Sequence, residues 1–353
     1  MLYPLKFKPV YKDYIWGGRN FEKLGKVLPD GIVAESWEVS CHPDGISIVS
    51  NGEFEGIALP DLIGRLGRQI VGTALPQKDV DKFPLLVKFI DASDDLSVQV
   101  HPDDDYARLH ENGEYGKNEM WYIMSAQPGA RLIYDVIPGT TRETLAQAVK
   151  DNRIGSCLKY VEVYPGDVIN IPAGLIHAIG KGIMLAEIQQ NSNTTYRVYD
   201  FDRVDKNGNK RPLHIEKALD VIDFNAAGRK EKYKGLEVKI GPSSSKRYSV
   251  ANRYFSVEEY KIKGRIEESA DGSRFYIYVF LEGEGGIGYG DKTLGVKGGE
   301  SVLIPAALGD YTIEGNLKAL KSYVPDIGQN VVTPLKEAGY SLEEIYENVA
   351  GFK

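Results

Sequence analysis

The 353-residue sequence predicts a mainly β protein: two copies of one β-barrel module with a small α-helical insertion. Three observations point there. Its 38 glycines and 17 prolines are spread along the chain and leave short runs between them, the punctuation of strands and turns. Runs of strand length rich in β-branched and aromatic residues recur, among them Ile46–Val49, Ser97–Val100, Val161–Val163 and Tyr276–Leu281. The third is an internal echo: GDVINIPAGLIH at 166–177 lines up without gaps against GESVLIPAALGD at 299–310, 133 residues further on. Both read as turn, strand, Pro-Ala and another strand.

Helical patterns are few. A helix is expected over about 59–71, where Pro60 suits a first helical position and Leu62, Ile63, Leu66 and Ile70 share a face. A second is expected within 140–158, with Thr140 and Glu143 as a capping box and Gly155 as the stop. A third covers 213–223, and Ser341 with Glu344 forms a capping box for a C-terminal helix whose docking face is Leu342, Ile345, Tyr346 and Val349. The polar stretch Ala227–Ser245 reads as the connector, so a first domain is expected over 1–235 and a second over 236–353.

Composition narrows the function classes. Hydrophobic residues are 42% and charged residues 26%, enough to bury real cores. A formal charge of −7 offers no positive field for nucleic acid or an anionic membrane surface, so neither is an expected partner. There is no apolar run of membrane-spanning length, and the N-terminal residues lack the apolar core of a signal peptide, which makes the expected compartment the cytoplasm. Cys41 and Cys157 cannot form a disulfide framework. The oligomeric state is left open.

The chemistry concentrates in three segments. On a strand, period two sends Val98 and Val100 to one face and Ser97, Gln99 and His101 to the other. By itself this is equally a solvated strand face. Gly166, Pro172, Gly174 and His177, however, have the spacing of the second motif of cupin (jelly-roll) barrels, which delivers a metal-binding imidazole into the barrel mouth. Glu119, opening an aromatic strand after Lys117 and Asn118, supplies a carboxylate. Gln99, His101, Glu119 and His177 then make an N2O2 set that suits Zn²⁺, while Fe²⁺, Mn²⁺ or Co²⁺ fit the same donors. In the second copy the residue aligned with His177 is Asp310, so that copy is expected to be metal-free.

Taken together, Tyr14–Gly18, Ala34–Glu38, Pro84–Lys88, Gln99–Asp103, Lys117–Glu119 and Pro172–Ala178 resemble the type I mannose-6-phosphate isomerases (phosphomannose isomerases) of the short bacterial form, over essentially the whole chain. The resemblance implies one zinc per chain on Gln99, His101, Glu119 and His177, with Glu187 and Arg197 matching the family's acidic and catalytic-arginine pair. It further implies a sugar-phosphate substrate isomerised through an enediol. Asn118, where many relatives have proline, and the sequence Thr195–Tyr199 depart from the family pattern.

The residues fit that chemistry. Lys88 sits in an otherwise apolar strand, where a lysine is costly unless paired or functional. Glu187 is a candidate acid or base, and Lys117 and Arg197, with Ser97, are expected to serve the phosphate. For Lys88 the competing reading is a snorkelling edge residue, and for Lys117 and Arg197 an ordinary surface charge. Two other functions stay open on the residues alone: an Fe(II)-dependent cupin oxygenase, and a non-catalytic sugar-binding cupin. Gln99 in place of a third histidine, with Lys88 and Arg197, favours the isomerase. Gly283–Gly288 matches GxGxxG but precedes a strand-like run, so it reads as a hairpin turn and not a dinucleotide site. His42, His110 and His214 have no comparable neighbours and read as structural or surface residues.

Overall fold

The computed structural model describes residues 2–204 and 207–352. The strands of its first part are β1 (Leu5–Lys8), β2 (Val10–Lys12), β3 (Glu35–Val39), β4 (Ile48–Val49), β5 (Leu85–Ala92), β6 (Val98–Val100), β7 (Glu119–Ala126), β8 (Arg131–Val136), β9 (Leu158–Glu162), β10 (Val168–Ile171), β11 (His177–Ala178), β12 (Ile183–Gln190) and β13 (Tyr196–Tyr199). Those of the second are β14 (Leu236–Lys239), β15 (Ser245–Ala251), β16 (Ser256–Ala270), β17 (Tyr276–Tyr289), β18 (Lys292–Lys297), β19 (Ser301–Ile304) and β20 (Gly309–Tyr323). They form antiparallel sheets of six, five and nine strands, which makes the protein mainly β as the sequence predicts.

Each part has its own core. The six-stranded sheet (β10-β7-β12-β5-β3-β2) and the five-stranded sheet (β13-β6-β11-β8-β9) bury Ile90, Trp121, Ile123, Leu132, Tyr134, Ile171 and Leu185 between them. Inside the second part lie Tyr260, Ile262, Tyr278, Phe280, Ile304 and Ile313. The opposite face of the six-stranded sheet, with Leu85, Val87, Phe89, Met120 and Ile188, packs on Val257, Ile277, Val279 and Leu303, joining the parts through one apolar layer. β1 and β4 cross into the nine-stranded sheet, where β1 pairs with β19.

The internal echo holds in three dimensions. β10 and β19 are the same residues under the 133-residue shift, and the strand order β19-β17-β20-β16-β15-β14 repeats β10-β7-β12-β5-β3-β2. Register then aligns two buried rows. Across the first run Trp37, Lys88, Glu187 and Trp121; across the second run Tyr248, Glu258, Lys321 and Tyr278. Aromatic residues close both ends of each row, and the charges between them are exchanged. One residue pair beyond, Glu35 meets Lys88 at 3.5 Å and Lys246 meets Glu258 at 3.1 Å, again with the signs reversed. The alignment also sets Tyr276 at the place of Glu119. Asp310 is exposed, and the inward position on that strand belongs to Tyr311, whose hydroxyl shares a 3.0 Å hydrogen bond with Tyr278.

The helices lie close to their expected places with local corrections. The helix expected over 59–71 is two, α1 (Leu59–Leu66) and α2 (Arg68–Val71), because Gly67 adopts φ +52° between them. Two short helices, α3 (Gln77–Asp81) and α4 (Asp104–His110), had no expectation; α4 starts on an Asp103 cap whose Oδ1 accepts from the Tyr106 amide at 2.9 Å. In α5 (Arg142–Lys150) the box is one residue later than Thr140 and Glu143: Thr141 takes extended backbone and exchanges hydrogen bonds with Thr144. It ends before Asn152 at φ +52°, not at Gly155, which lies in a following 3₁₀ turn. α6 (Ile215–Val221) packs with α5 on the outer face of the five-stranded sheet. After α7 (Thr333–Glu337), α8 (Leu342–Asn348) carries the Ser341–Glu344 box as expected, but of its expected docking face only Ile345 and Val349 are buried, while Leu342 and Tyr346 are exposed.

Gly283–Gly288 is not a turn. It lies inside β17, where a Cβ on Gly283 or Gly285 would collide with the carbonyls of Asn316 or Glu314 on β20; close strand approach, not a reversal, needs those glycines. The connector Ala227–Ser245 already contains β14.

Lys321 holds Glu268 at 2.5 Å inside the second part. Lys321→Met should therefore cost about 3–5 kcal/mol, since removing one partner strands a buried charge. Denaturant unfolding followed by circular dichroism measures it, and the metal content of the folded protein should match the parent.

Candidate metal centre and active site

Three of the four expected ligands converge by sheet geometry. Gln99 on β6 stands opposite His177 on β11, His101 follows the end of β6, and Glu119 opens β7. Ligand atoms of His101, Glu119 and His177 lie within 4.8 Å of one another, and all three residues are buried. Each imidazole is oriented from behind: His101 Nδ1–H donates to the Thr194 carbonyl and His177 Nδ1–H to the Leu175 carbonyl, both at 2.8 Å. A carbonyl only accepts, so both Nδ1 atoms carry the proton and both Nε2 lone pairs face the cluster. Burial keeps the rings neutral, pushing His101 well below its ordinary value and His177 down to about 4.

The donors fit a divalent metal. Both carboxylate oxygens of Glu119 are buried without an aligned hydrogen bond, at 3.4 Å from His177 Nε2 and 3.6 Å from His101 Nε2. Burial and then the neighbouring Glu187 push Glu119 up to about 7, against the opposing pull of Lys117 2.9 Å away. The Gln99 amide lies 3.4 Å from His177 Nε2, and a half-turn about its terminal bond presents its oxygen to the same point.

Beside this cluster lies a charged pair that crosses the sheet. Lys88 Nζ is 3.1 Å from Glu187 Oε1 and 3.5 Å from Glu35 Oε2. Each carboxylate also accepts from an indole, Glu187 from Trp121 at 2.8 Å and Glu35 from Trp37 at 2.6 Å. Burial opposes the Lys88 charge, but Glu187 and Glu35 overcome it and raise the lysine's pKa; burial likewise opposes the Glu187 charge, which Lys88 and Lys117 hold ionised. Lys117 is deep, with Nζ at 2.9 Å from Glu119, 3.1 Å from His101 Nε2 and 4.0 Å from Glu187.

One cavity of 270 Å³ joins these groups, and Lys88, Ser97, Gln99, Lys117, Glu187 and Arg197 all line it. Hollows of 1050 and 1090 Å³ lie elsewhere, but Lys88, Gln99, Lys117 and Glu187, the groups that adjoin the metal-type cluster, line neither of them, so chemistry and not size locates the site. Arg197 Nε donates to Ser97 Oγ at 3.2 Å. Sequence reasoning assigned no role to Glu35, Arg211 or His214, which share the cavity. His214 is structural, as expected: its Nδ1 accepts from the Arg197 backbone amide at 3.2 Å, tying the start of α6 to β13. Glu35 was visible as a charge alternating with Trp37; Arg211 carried no local signal.

Comparison with known proteins agrees with this geometry. Residues 4–122 match the phosphomannose isomerase type I catalytic domain, and residues 244–324 the mannose-6-phosphate isomerase cupin domain. The mannose-6-phosphate isomerase ManA of Bacillus subtilis is 38% identical over 321 residues, covering 91% of this chain and 99% of its own. The chain belongs to the type I phosphomannose isomerases. A mannose-6-phosphate isomerase of Streptococcus mutans is 37% identical over 92% of this chain and 99% of its own length. The crystal structure of the Bacillus subtilis mannose 6-phosphate isomerase superposes with a TM-score of 0.84 at 35% identity, over 91% of this chain and 99% of that one. A mutant phosphomannose isomerase from Salmonella typhimurium shares the fold at 16% identity, with a TM-score of 0.73 over 91% and 99% of the two chains.

His177→Ala should abolish bound metal and turnover together, and a chelator should reproduce the loss in the parent, reversed by divalent metal. Asp310→Ala, at an exposed position, should leave metal stoichiometry unchanged by elemental analysis; metal that depends on Asp310 would show a second site.

Proposed function

We propose that this chain interconverts mannose 6-phosphate and fructose 6-phosphate, with Zn²⁺ as its metal, one per chain. The observation that carries the reading is adjacency: the ionised Lys88–Glu187 pair lines the cavity, and two further lining residues, Lys117 and Gln99, reach the buried His101–Glu119–His177 cluster at 2.9 Å from Glu119 and 3.4 Å from His177. The family's membership and the names of its relatives support the same reaction.

Aldose–ketose interconversion moves one proton between C1 and C2 through an enediol, so charge develops on O1 and O2. Gln99, His101, Glu119 and His177 would hold a divalent metal, which would supply Lewis acidity for that developing charge. Glu187 Oε1, buried and without an aligned hydrogen bond, takes the proton from one carbon and returns it to the next. Lys88 and Lys117 keep that carboxylate ionised, while the Trp121 indole fixes its other oxygen. The low exposure of all four groups keeps bulk water from competing for the proton. Arg197, the half-buried cation on the outer side, serves the sugar phosphate. An oxygenase needs no such lysine–carboxylate pair beside its metal, which favours the isomerase.

Two substitutions test the roles by coupled assay of fructose 6-phosphate formation, with metal content measured in parallel. Glu187→Gln should lower kcat by about 10²-fold or more with metal retained. Arg197→Gln should lower kcat/KM about tenfold or more, also with metal retained, and lysine should rescue it poorly. Near wild-type kinetics in either variant would remove that residue from the mechanism.

A further inference from the structure

The cavity carries more positive charge than the chemistry at its floor uses. Arg197 donates to neutral oxygens, Ser97 Oγ and the Pro212 carbonyl, the latter at 3.0 Å, and among the described residues no carboxylate is within ion-pair distance of it. Arg211 lines the same cavity and is gripped by Asp200, Nε to Oδ2 at 2.8 Å and Nη2 to Oδ1 at 2.5 Å. Arg203 reaches the same buried carboxylate at 2.7 Å, and its Nη1 lies 3.6 Å from Asp94 at the surface. Two guanidinium groups thus grip one buried carboxylate, with Arg197 close by on the same cavity. Burial, then the nearness of Arg211, pull Arg197 below the ordinary arginine value, so the two cations repel each other in place. Like charges held together at a cavity are the arrangement expected where an anion binds.

We propose that Arg211 binds the phosphate group of the sugar phosphate together with Arg197, and that Asp200 is the positioning residue that fixes the Arg211 guanidinium. This rests on the isomerase reading above. Asp200 engages Nε and Nη2 of Arg211, holding the planar fork in one orientation. A phosphate dianion accepts several charge-assisted hydrogen bonds, and the hydroxyl-bearing Tyr14 and Thr195 line the same space. Lys117 is thereby left to the metal end of the cavity, against Glu119 and His101. The phosphate is remote from C1 and C2, so its contacts are made equally in the bound substrate and the transition state. Such uniform binding governs KM more than kcat.

The test compares the metal-loaded parent with Arg211→Met, Arg211→Lys and the paired variant Asp200→Asn/Arg211→Met, which leaves no unpaired carboxylate and so keeps the question open if the single variant fails to fold. Readouts are kcat, KM, the inhibition constant of inorganic phosphate, and calorimetric affinity for mannose 6-phosphate. KM and the phosphate inhibition constant should rise together by about tenfold or more in both methionine variants, with kcat changed much less. Lysine, lacking the fork, should recover part of the loss. If the paired variant folds and binds metal yet keeps KM and phosphate inhibition within twofold, Arg211 is a structural partner of Asp200 and the proposal falls. A parent that binds mannose 6-phosphate in an Arg211-dependent way without turning it over would instead overturn the isomerase reading and leave the phosphate site standing.

Discussion

A lysine ammonium in the interior of a β-sheet protein needs countercharge on every side that water would otherwise occupy. Lys88 has Glu187 on one neighbouring strand and Glu35 on the other, and each carboxylate is completed by an indole N–H. This row sets the register of β3, β5, β12 and β7, because a slip of one residue would turn every charge in it toward the apolar layer behind. The metal cluster depends on that register: Glu119 and Gln189 are paired on the same two strands that carry Trp121 and Glu187.

The second module shows what the same architecture becomes without the chemistry. Its row keeps the aromatic ends and the alternation of charge but exchanges the signs, and Tyr276 replaces the metal-facing Glu119. Lys321 then sits 4.0 Å over the Tyr276 ring and pairs with Glu268, so the position is filled by internal partners. Charge alternation along the row satisfies burial in either polarity. The first polarity alone presents two carboxylates and a lysine beside the imidazoles.

Electrostatics also divides the cavity into two ends. At the floor, carboxylates exceed lysines before a metal is counted: Glu35, Glu119 and Glu187 against Lys88 and Lys117. At the outer end, Arg197 and Arg211 line the cavity and Asp200 behind Arg211 is the one carboxylate paired with them among the described residues. The gradient matches a ligand with metal-seeking oxygens at one end and a dianion at the other, and it orients such a ligand before any contact is made.

Features governed by neighbours in the chain were legible in the sequence. Period two put Gln99 and His101 on one face, the glycine–proline spacing located His177, the Ser341 box capped α8, and the echo fell on the same strand in both modules. Those depend on backbone geometry and hydrogen bonds over a few residues. Where local rules competed, near misses followed: adjacent threonines shifted the α5 cap from Thr140 to Thr141, and glycines needed for strand approach imitated a turn at 283–288. Only tertiary structure decided that Lys88 faces Glu187, that Tyr311 and not Asp310 points inward, and that Arg211, held by Asp200, lines the same cavity as Arg197. These pairings bridge separate strands and loops, and their register is set by the whole sheet and its buried faces, so no local pattern carries them.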